Sequence, residues 1–185
     1  MIENYKNLED SELAIRSLSS SLSFMELMKR YEKPLLRYIK RISFFQDSEA
    51  EDILQEVFIK VYKNLNNYDS SLKFSSWIYR ITHNQTVDNI RKNSKNESVP
   101  ILDDDWGNII DKFDLHSHIE SSEIRNKIIL NIENLPIKYK EILYLRFLEE
   151  KSYEEISDII KIPKGTVSTL INRGKKILQQ KLNNI

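Results

Sequence analysis

Residues 152–182 read SYEEISDIIKIPKGTVSTLINRGKKILQQKL, and the reading of this stretch decides the fold. Ser152 is placed to cap a short helix, with Glu154 and Glu155 in its first turn, where carboxylates suit the positive end of the helix dipole. Ile156, Ile159 and Ile160 give that helix an apolar face. Lys161, Ile162 and Pro163 interrupt it, because proline cannot continue a helix interior yet fits the first turn of the next helix. A second helix is expected to start near Pro163. In it Val167, Leu170, Ile171, Ile177, Leu178 and Leu182 recur at steps of three and four, while Lys164, Ser168, Thr169, Asn172, Arg173, Lys175, Lys176 and Lys181 lie largely off that stripe. The spacing predicts a helix-turn-helix with one face that packs and one that carries donors. Such a pair either lays polar side chains on base edges in a major groove or is a helical hairpin with a solvated basic face, and spacing alone leaves both open.

Three glycines and four prolines among 185 residues point to helices rather than a turn-rich β fold, so the expected class is all-α. No run of eighteen apolar residues and no basic-then-apolar leader is present, so neither membrane insertion nor export is expected and a cytoplasmic location is. The absence of cysteine excludes a disulfide scaffold and a thiolate zinc site. Formal charge is zero, with 28 basic and 28 acidic residues, but its distribution is uneven. Residues 1–70 carry 10 basic against 12 acidic side chains, residues 71–95 carry 5 against 1, residues 96–132 carry 3 against 8, and residues 133–185 carry 10 against 7. At a Debye length of about 8 Å a phosphate backbone responds to the local block, so two positive blocks flanking a negative connector allow two separate contacts with nucleic acid.

Leu8, Leu13, Ile15 and Leu18 hint at a first helix. From Phe24 to Ile42 the apolar steps are clearer, with Pro34 a candidate bend, and this stripe reads as core. Asp47 or Ser48 is the candidate cap of the next helix, which runs to about Leu65 with Ile53, Val57, Val61 and Leu65 on one line. Asp52, Gln55 and Glu56 cluster beside that line, either as a patch for a protein partner or as a solvated face. After a loop from Tyr68 to Lys73, Phe74 to Arg91 reads as a helix with apolar members Phe74, Trp77, Ile78, Ile81, Val87 and Ile90. Its aromatics are interleaved with Arg80, His83, Asn84, Gln85, Asp88, Arg91 and Lys92, a pattern that suits single-stranded nucleic acid, although Trp77 reads better as core. Periodicity disappears from Asn93 to Ser122, an acidic segment read as a flexible linker. Within it Asp103, Asp104 and Asp105, or His116 with His118, match no metal-ligand spacing well, and His83 has no nucleophile pattern around it, so no cofactor or catalytic residue is expected. Helix resumes over Ile124 to Ile132, and Tyr139 to Leu148 supplies Ile142, Leu143, Leu145 and Phe147 to support the final pair.

Three segments together resemble a known family. Ala50 to Phe58 (AEDILQEVF), Phe74 to Ile81 (FSSWIYRI) followed by Asn84, Asp88 and Arg91, and Leu135-Pro136, Leu145-Arg146, Ser152 to Ile156 (SYEEI) and Gly165-Thr166-Val167 are similar, in this order, to an extracytoplasmic-function sigma factor, the small two-domain specificity subunit of bacterial RNA polymerase. The resemblance implies two small helical domains, residues 1–95 and 123–185, joined by the acidic flexible linker 96–122, with the helix-turn-helix in the second. It implies that Asp52, Gln55, Glu56 and Phe58 meet the clamp helices of the polymerase β′ subunit, and that the second domain also meets the β subunit flap. Tyr68, Asp69, Ser70, Ser71, Lys73 and Asn84 would take a base flipped from the promoter's minus-ten element, and Arg80, Asp88, Arg91 and Lys92 would belong to the same interface. Lys164, Thr166, Ser168, Thr169, Asn172, Arg173 and Lys176 would read the minus-35 element. The chain departs from the family pattern at Ser168, where a basic residue is usual, and at Thr169 and Leu170, where a serine then an arginine are usual. Two fewer cations imply a shallower salt dependence, and Leu170 is expected to extend a hydrophobic surface. The family further implies an anti-sigma partner and no catalytic activity of the chain's own. The alternative is a helix-turn-helix repressor or activator that binds duplex DNA unaided, which leaves the first two segments as coincidence. In the sigma reading the linker threads the polymerase cleft, its carboxylates standing in for nucleic-acid charge. Replacing Asp103, Asp104 and Asp105 with asparagine is then expected to impair initiation in runoff transcription; unchanged initiation would remove that role for the linker.

Overall fold

The computed structural model describes residues 5–43, 45–93 and 129–183. Among them every regular element is helical. The chain divides into two compact units, Met1–Ser98 and Val99–Ile185. The acidic segment 96–122, with Asp103 to Asp105, His116 and His118, lies outside the described residues, as do residues 124–128.

The first unit contains α1 (Asp10–Arg16), α2 (Ser21–Ile42), α3 (Asp47–Asn64) and α4 (Phe74–Asn93). α2 begins three residues before Phe24 because the Ser20 hydroxyl accepts the Ser23 N–H at 3.4 Å, a side-chain cap that satisfies an otherwise orphaned donor. It passes through Pro34 unbroken, and Tyr31, Leu35 and Tyr38 on either side of the lost backbone bond are buried. α3 is capped by neither Asp47 nor Ser48. Glu49 reaches back to the Gln46 N–H at 3.0 Å, which sets the start one residue earlier than expected. Ala50, Ile53, Leu54, Val57 and Val61 are its buried line, and a 3-10 turn, Leu65–Asn67, ends it.

α4 departs from its predicted face. Phe74, Trp77 and Ile78 are buried as expected, but Ile81, Val87 and Ile90 are only half-buried, while Thr82, Gln85 and Thr86 are buried in their place. The threonines tolerate this because each hydroxyl donates to the carbonyl four residues back, Thr82 to Ile78 at 2.9 Å and Thr86 to Thr82 at 2.8 Å. α1 is a single short helix that would not persist alone, and it holds by burying Leu13 and Ala14; Ile15 and Leu18, read as members of the same face, are exposed.

The second unit contains a helical stretch at 129–133, then α5 (Ile137–Phe147), α6 (Tyr153–Ile160) and α7 (Lys164–Asn183). The Ser152 cap forms as the sequence requires: its hydroxyl accepts the Glu155 N–H at 3.2 Å, and its own N–H donates to the Glu155 carboxylate at 2.8 Å. Lys161 then takes the left-handed conformation, with φ of 56°, and the Ser157 hydroxyl holds the turn by donating to the Ile162 carbonyl at 2.6 Å. Leu170 does not extend an exposed surface: it is buried with Val167 and Ile171, because the α7 stripe facing α5 and α6 includes it.

Gly174 sets how closely α7 approaches α5. A Cβ there would stand 3.0 Å from Leu143 Cδ1 and 3.1 Å from its Cγ, and Leu143 is fully buried, so it would have to shift within the core. Gly174→Val is therefore expected to destabilise the full chain by about 1–3 kcal/mol in urea unfolding, overpacking outweighing the better helix propensity. Gly165→Ala, where a Cβ meets nothing within 4 Å, is expected to be neutral or stabilising by about 0.5 kcal/mol.

Candidate functional site

Burying Ile53, Leu54, Val57 and Val61 turns the opposite side of α3 to solvent, and there Asp52, Gln55, Ile59 and Tyr62 follow at steps of three, four and three. All four are exposed, Ile59 at 54% and Tyr62 at 60%. The sequence reading stopped at the polar half of this stripe. Two large apolar residues off the buried line were the signal for the remainder. Phe58 is half-buried rather than presented outward. Glu56 is partly occupied within the fold: it accepts a hydrogen bond from Gln85 Nε2 on α4. Gln85 is buried, and its Oε1 has no partner among protein atoms.

The loop before α4 is built by Asp69. Its Oδ1 accepts the Ser71 N–H at 2.9 Å and its carbonyl accepts the Leu72 N–H at 3.0 Å, a side-chain-closed turn that leaves Ser70, Ser71 and Lys73 exposed. The Ser71 N–H, and then its hydroxyl, hold the Asp69 carboxyl below the ordinary carboxylate range, so the turn is intact at neutral pH and weakens only as pH falls below that range. Tyr68 is not a free donor for a base. Its hydroxyl donates to the Leu72 carbonyl at 2.6 Å and its ring packs on Phe74 at 5.3 Å and Trp77 at 5.4 Å, so it forms a wall of the loop. Burial raises the Tyr68 pKa above its ordinary value, with the Asp10 and Asp69 charges adding to the effect. Along α4, Arg80, Asn84, Asp88 and Arg91 share one line, half-buried at Arg80 and exposed at the other three, with Lys92 exposed beside them. His83 faces the interior side, its Nδ1 3.4 Å from the Tyr38 hydroxyl.

In the second unit Thr166, Ser168, Thr169, Asn172 and Arg173 are half-exposed on α7, and Lys164 and Lys176 are exposed. Thr169 commits its proton to the Gly165 carbonyl at 3.0 Å and keeps acceptor capacity outward. Lys164 pairs with Glu154 across the turn, and that bond is the first cause of the lowered Glu154 pKa. Gly165 has an ordinary helical φ and open space where a side chain would be, so nothing inside the fold requires glycine there. Among the described residues no group of three or more His, Cys, Asp or Glu could hold a metal, and no helix is long and apolar enough to cross a membrane.

Residues 27–96 match the family model for Sigma-70 region 2, and residues 125–178 match that for Sigma-70, region 4. The ECF RNA polymerase sigma factor SigW of Bacillus subtilis is 37% identical over 147 residues, covering 74% of this chain and 77% of that protein. SigM of the same organism is 30% identical over 159 residues, covering 85% and 94%. Among solved structures, CnrH in complex with the cytosolic domain of CnrY superposes with a TM-score of 0.66 at 18% identity, covering 95% of this chain and 97% of that one. RpoE in complex with the anti-sigma factor NepR from Bartonella quintana gives 0.63 at 20% identity, covering 86% and 96%. The chain belongs to the extracytoplasmic-function sigma factors of the sigma-70 family. As such it binds core RNA polymerase and directs promoter-specific initiation of transcription.

The geometry separates residues that serve the fold from those that face outward. Asp52→Ala and Ile59→Ser are expected to leave urea-unfolding stability within about 0.5 kcal/mol. Glu56→Ala, which strands the buried Gln85 amide, is expected to cost about 1–2 kcal/mol. Equal stability of the three variants would show that the Glu56–Gln85 bond contributes nothing.

Proposed function

We propose that α3 docks the polymerase through Asp52, Gln55, Ile59 and Tyr62, an acidic and amide half followed by an apolar half, on the clamp helices of the β′ subunit. Glu56 and Phe58 support this surface from its edge. Residues 1–95 thus form the polymerase-binding and minus-ten domain, residues 96–122 the linker, and residues 123–185 the minus-35 domain, which also meets the β subunit flap. Catalysis belongs to the polymerase and not to this chain, which acts where the polymerase is, in the cytoplasm.

One observation carries the minus-ten assignment. The Asp69 turn presents Ser70 and Ser71 beside a packed ring cluster, Tyr68, Phe74 and Trp77, while Arg80 and Arg91 flank Asn84 on the next helix. A flipped base needs small polar groups for its pairing edge, a wall to stack on and cations for its phosphates, and all three stand together here. Asp88, on the same line, keeps phosphate contact to either side of itself. On α7, Thr166, Ser168, Thr169 and Asn172 are the base-edge candidates, with Lys164, Arg173 and Lys176 as phosphate contacts. Both similar solved structures are complexes with a second protein, one of them named an anti-sigma factor, and this supports anti-sigma control of the present chain. A repressor that binds duplex unaided would give no role to the α3 stripe or the Asp69 turn.

Runoff transcription of fragmented genomic DNA from the source organism, with core polymerase alone and with this chain added, is the test. Discrete new transcripts are expected, and they should vanish when Asp52 and Gln55 are both changed to alanine. On a promoter so identified, Lys176→Ala should lower affinity and make the log–log salt slope shallower by about 0.9. Absence of new transcripts together with absence of co-purifying polymerase would overturn the assignment.

A further inference from the structure

The region 2 match begins at residue 27, yet residues 5–16 are built into the same unit. The joint is Arg30 on α2. Its Nη1 donates to the Leu8 carbonyl at 2.8 Å and to Asp10 Oδ1 at 2.7 Å. Its Nη2 donates to the Tyr5 and Lys6 carbonyls at 3.0 and 2.9 Å, and its Nε to Glu26 at 3.2 Å. A guanidinium has five N–H donors in a fixed fork, and here each has an acceptor, three of them carbonyls in and just after the short 3-10 turn Tyr5–Asn7, the Tyr5 carbonyl also accepting the Leu8 N–H at 3.3 Å. No other side chain could gather that set.

The hold does not end at Arg30. The second oxygen of Asp10 accepts the Tyr31 hydroxyl at 2.5 Å, and the buried Tyr31 ring meets Phe74 edge-on at 5.6 Å. Phe74 in turn meets Tyr68 at 5.3 Å and Trp77 at 5.5 Å, and the Tyr68 hydroxyl closes on the Leu72 carbonyl. α1 also packs on both α2 and α4. After burial, the Asp10 charge raises the Tyr68 phenol pKa further.

We propose that residues 5–16 are a positioning arm for the Tyr68–Lys73 loop, with Arg30 as its lock and Asp10, Tyr31 and Phe74 as the path by which the arm fixes the loop. This rests on the reading of that loop as the receptor of a flipped base. The loop's own bonds are the Asp69 turn and the Tyr68 hydroxyl, and its deeper support is the ring cluster that Tyr31 backs. A loop ordered before the base arrives spares binding the cost of ordering it, so the arm raises the efficiency of promoter opening without touching DNA. Arg30, Asp10 and Tyr31 are positioning residues in this scheme.

The test compares the full chain with Asp10→Asn and with a form lacking residues 1–8, using Asp69→Ala as the reference for the loop itself. Amide exchange at Ser71 and Leu72 is expected to quicken about tenfold in both arm variants, while amides from Ile53 to Tyr62 on α3 keep their wild-type rates. With core polymerase, holoenzyme assembly should be unchanged and the rate of promoter opening, followed by 2-aminopurine fluorescence in the minus-ten element, should fall about fivefold, roughly 1 kcal/mol. Unchanged exchange at Ser71 and Leu72, or exchange that quickens equally throughout α2, α3 and α4, overturns the proposal, the latter because the arm would then be general ballast. If Asp69→Ala slows opening and the arm variants do not, the arm proposal alone fails. If Asp69→Ala opens promoters normally, the loop assignment fails and the arm proposal with it.

Discussion

The arrangement of the first unit depends on one constraint, that α3 must bury Ile53, Leu54, Val57 and Val61 against its neighbours. An α-helix offers no freedom once a face is chosen, since residues three and four apart share a side. Fixing the buried line therefore fixes Asp52, Gln55, Ile59 and Tyr62 on the far side as a continuous strip. The hydrophobic gain is on the order of 2 kcal/mol for each large side chain fully buried, far above what any exposed polar contact supplies, so packing dictates which side of α3 is left to solvent. The second unit follows the same logic, with Val167, Leu170, Ile171 and Leu178 turned inward and the polar residues of α7 left outward.

Small local bonds then set angles that packing leaves loose. Ser152 and Glu155 start α6, the left-handed Lys161 and the Ser157–Ile162 bond turn the chain, and Gly174 lets α7 settle against Leu143. Gly165 is the counterexample. It sits in a helix with open space around it, where alanine would be the better helix former, so packing within the unit does not account for it.

The elements that were legible in the sequence are those whose cause is local. The Ser152 cap, the break at Pro163 and the stripes of α2 and α3 follow from spacing and from side chains within one turn of each other, and the three resembling segments fall on α3, α4 and the second unit. What escaped is set by partners distant in the chain. Asp10 and Arg30 are ordinary charges until folding brings them together across 20 positions, and Glu56 meets Gln85 across 29. The polar burial on α4 was hidden because Thr82 and Thr86 satisfy themselves, which removes the usual penalty that makes polar residues read as exposed. Ile59 and Tyr62 were passed over because apolar residues on a helix are read as core by default, and only the three-dimensional register shows them facing out.

The Glu56–Gln85 pair has a further consequence. Apolar contacts are not directional, so they set the registry of α3 against α4 through shape alone. A carboxylate matched to a single buried amide is less forgiving, because another registry would leave the buried Gln85 amide without its partner, while the exposed Glu56 would return to water. The pair adds a directional contact that fits one alignment of the two helices. Its contribution is therefore to the registry of α3 against α4, so that the outward line of Asp52 and Gln55 and the outward line of Arg80 and Asn84 keep one spacing.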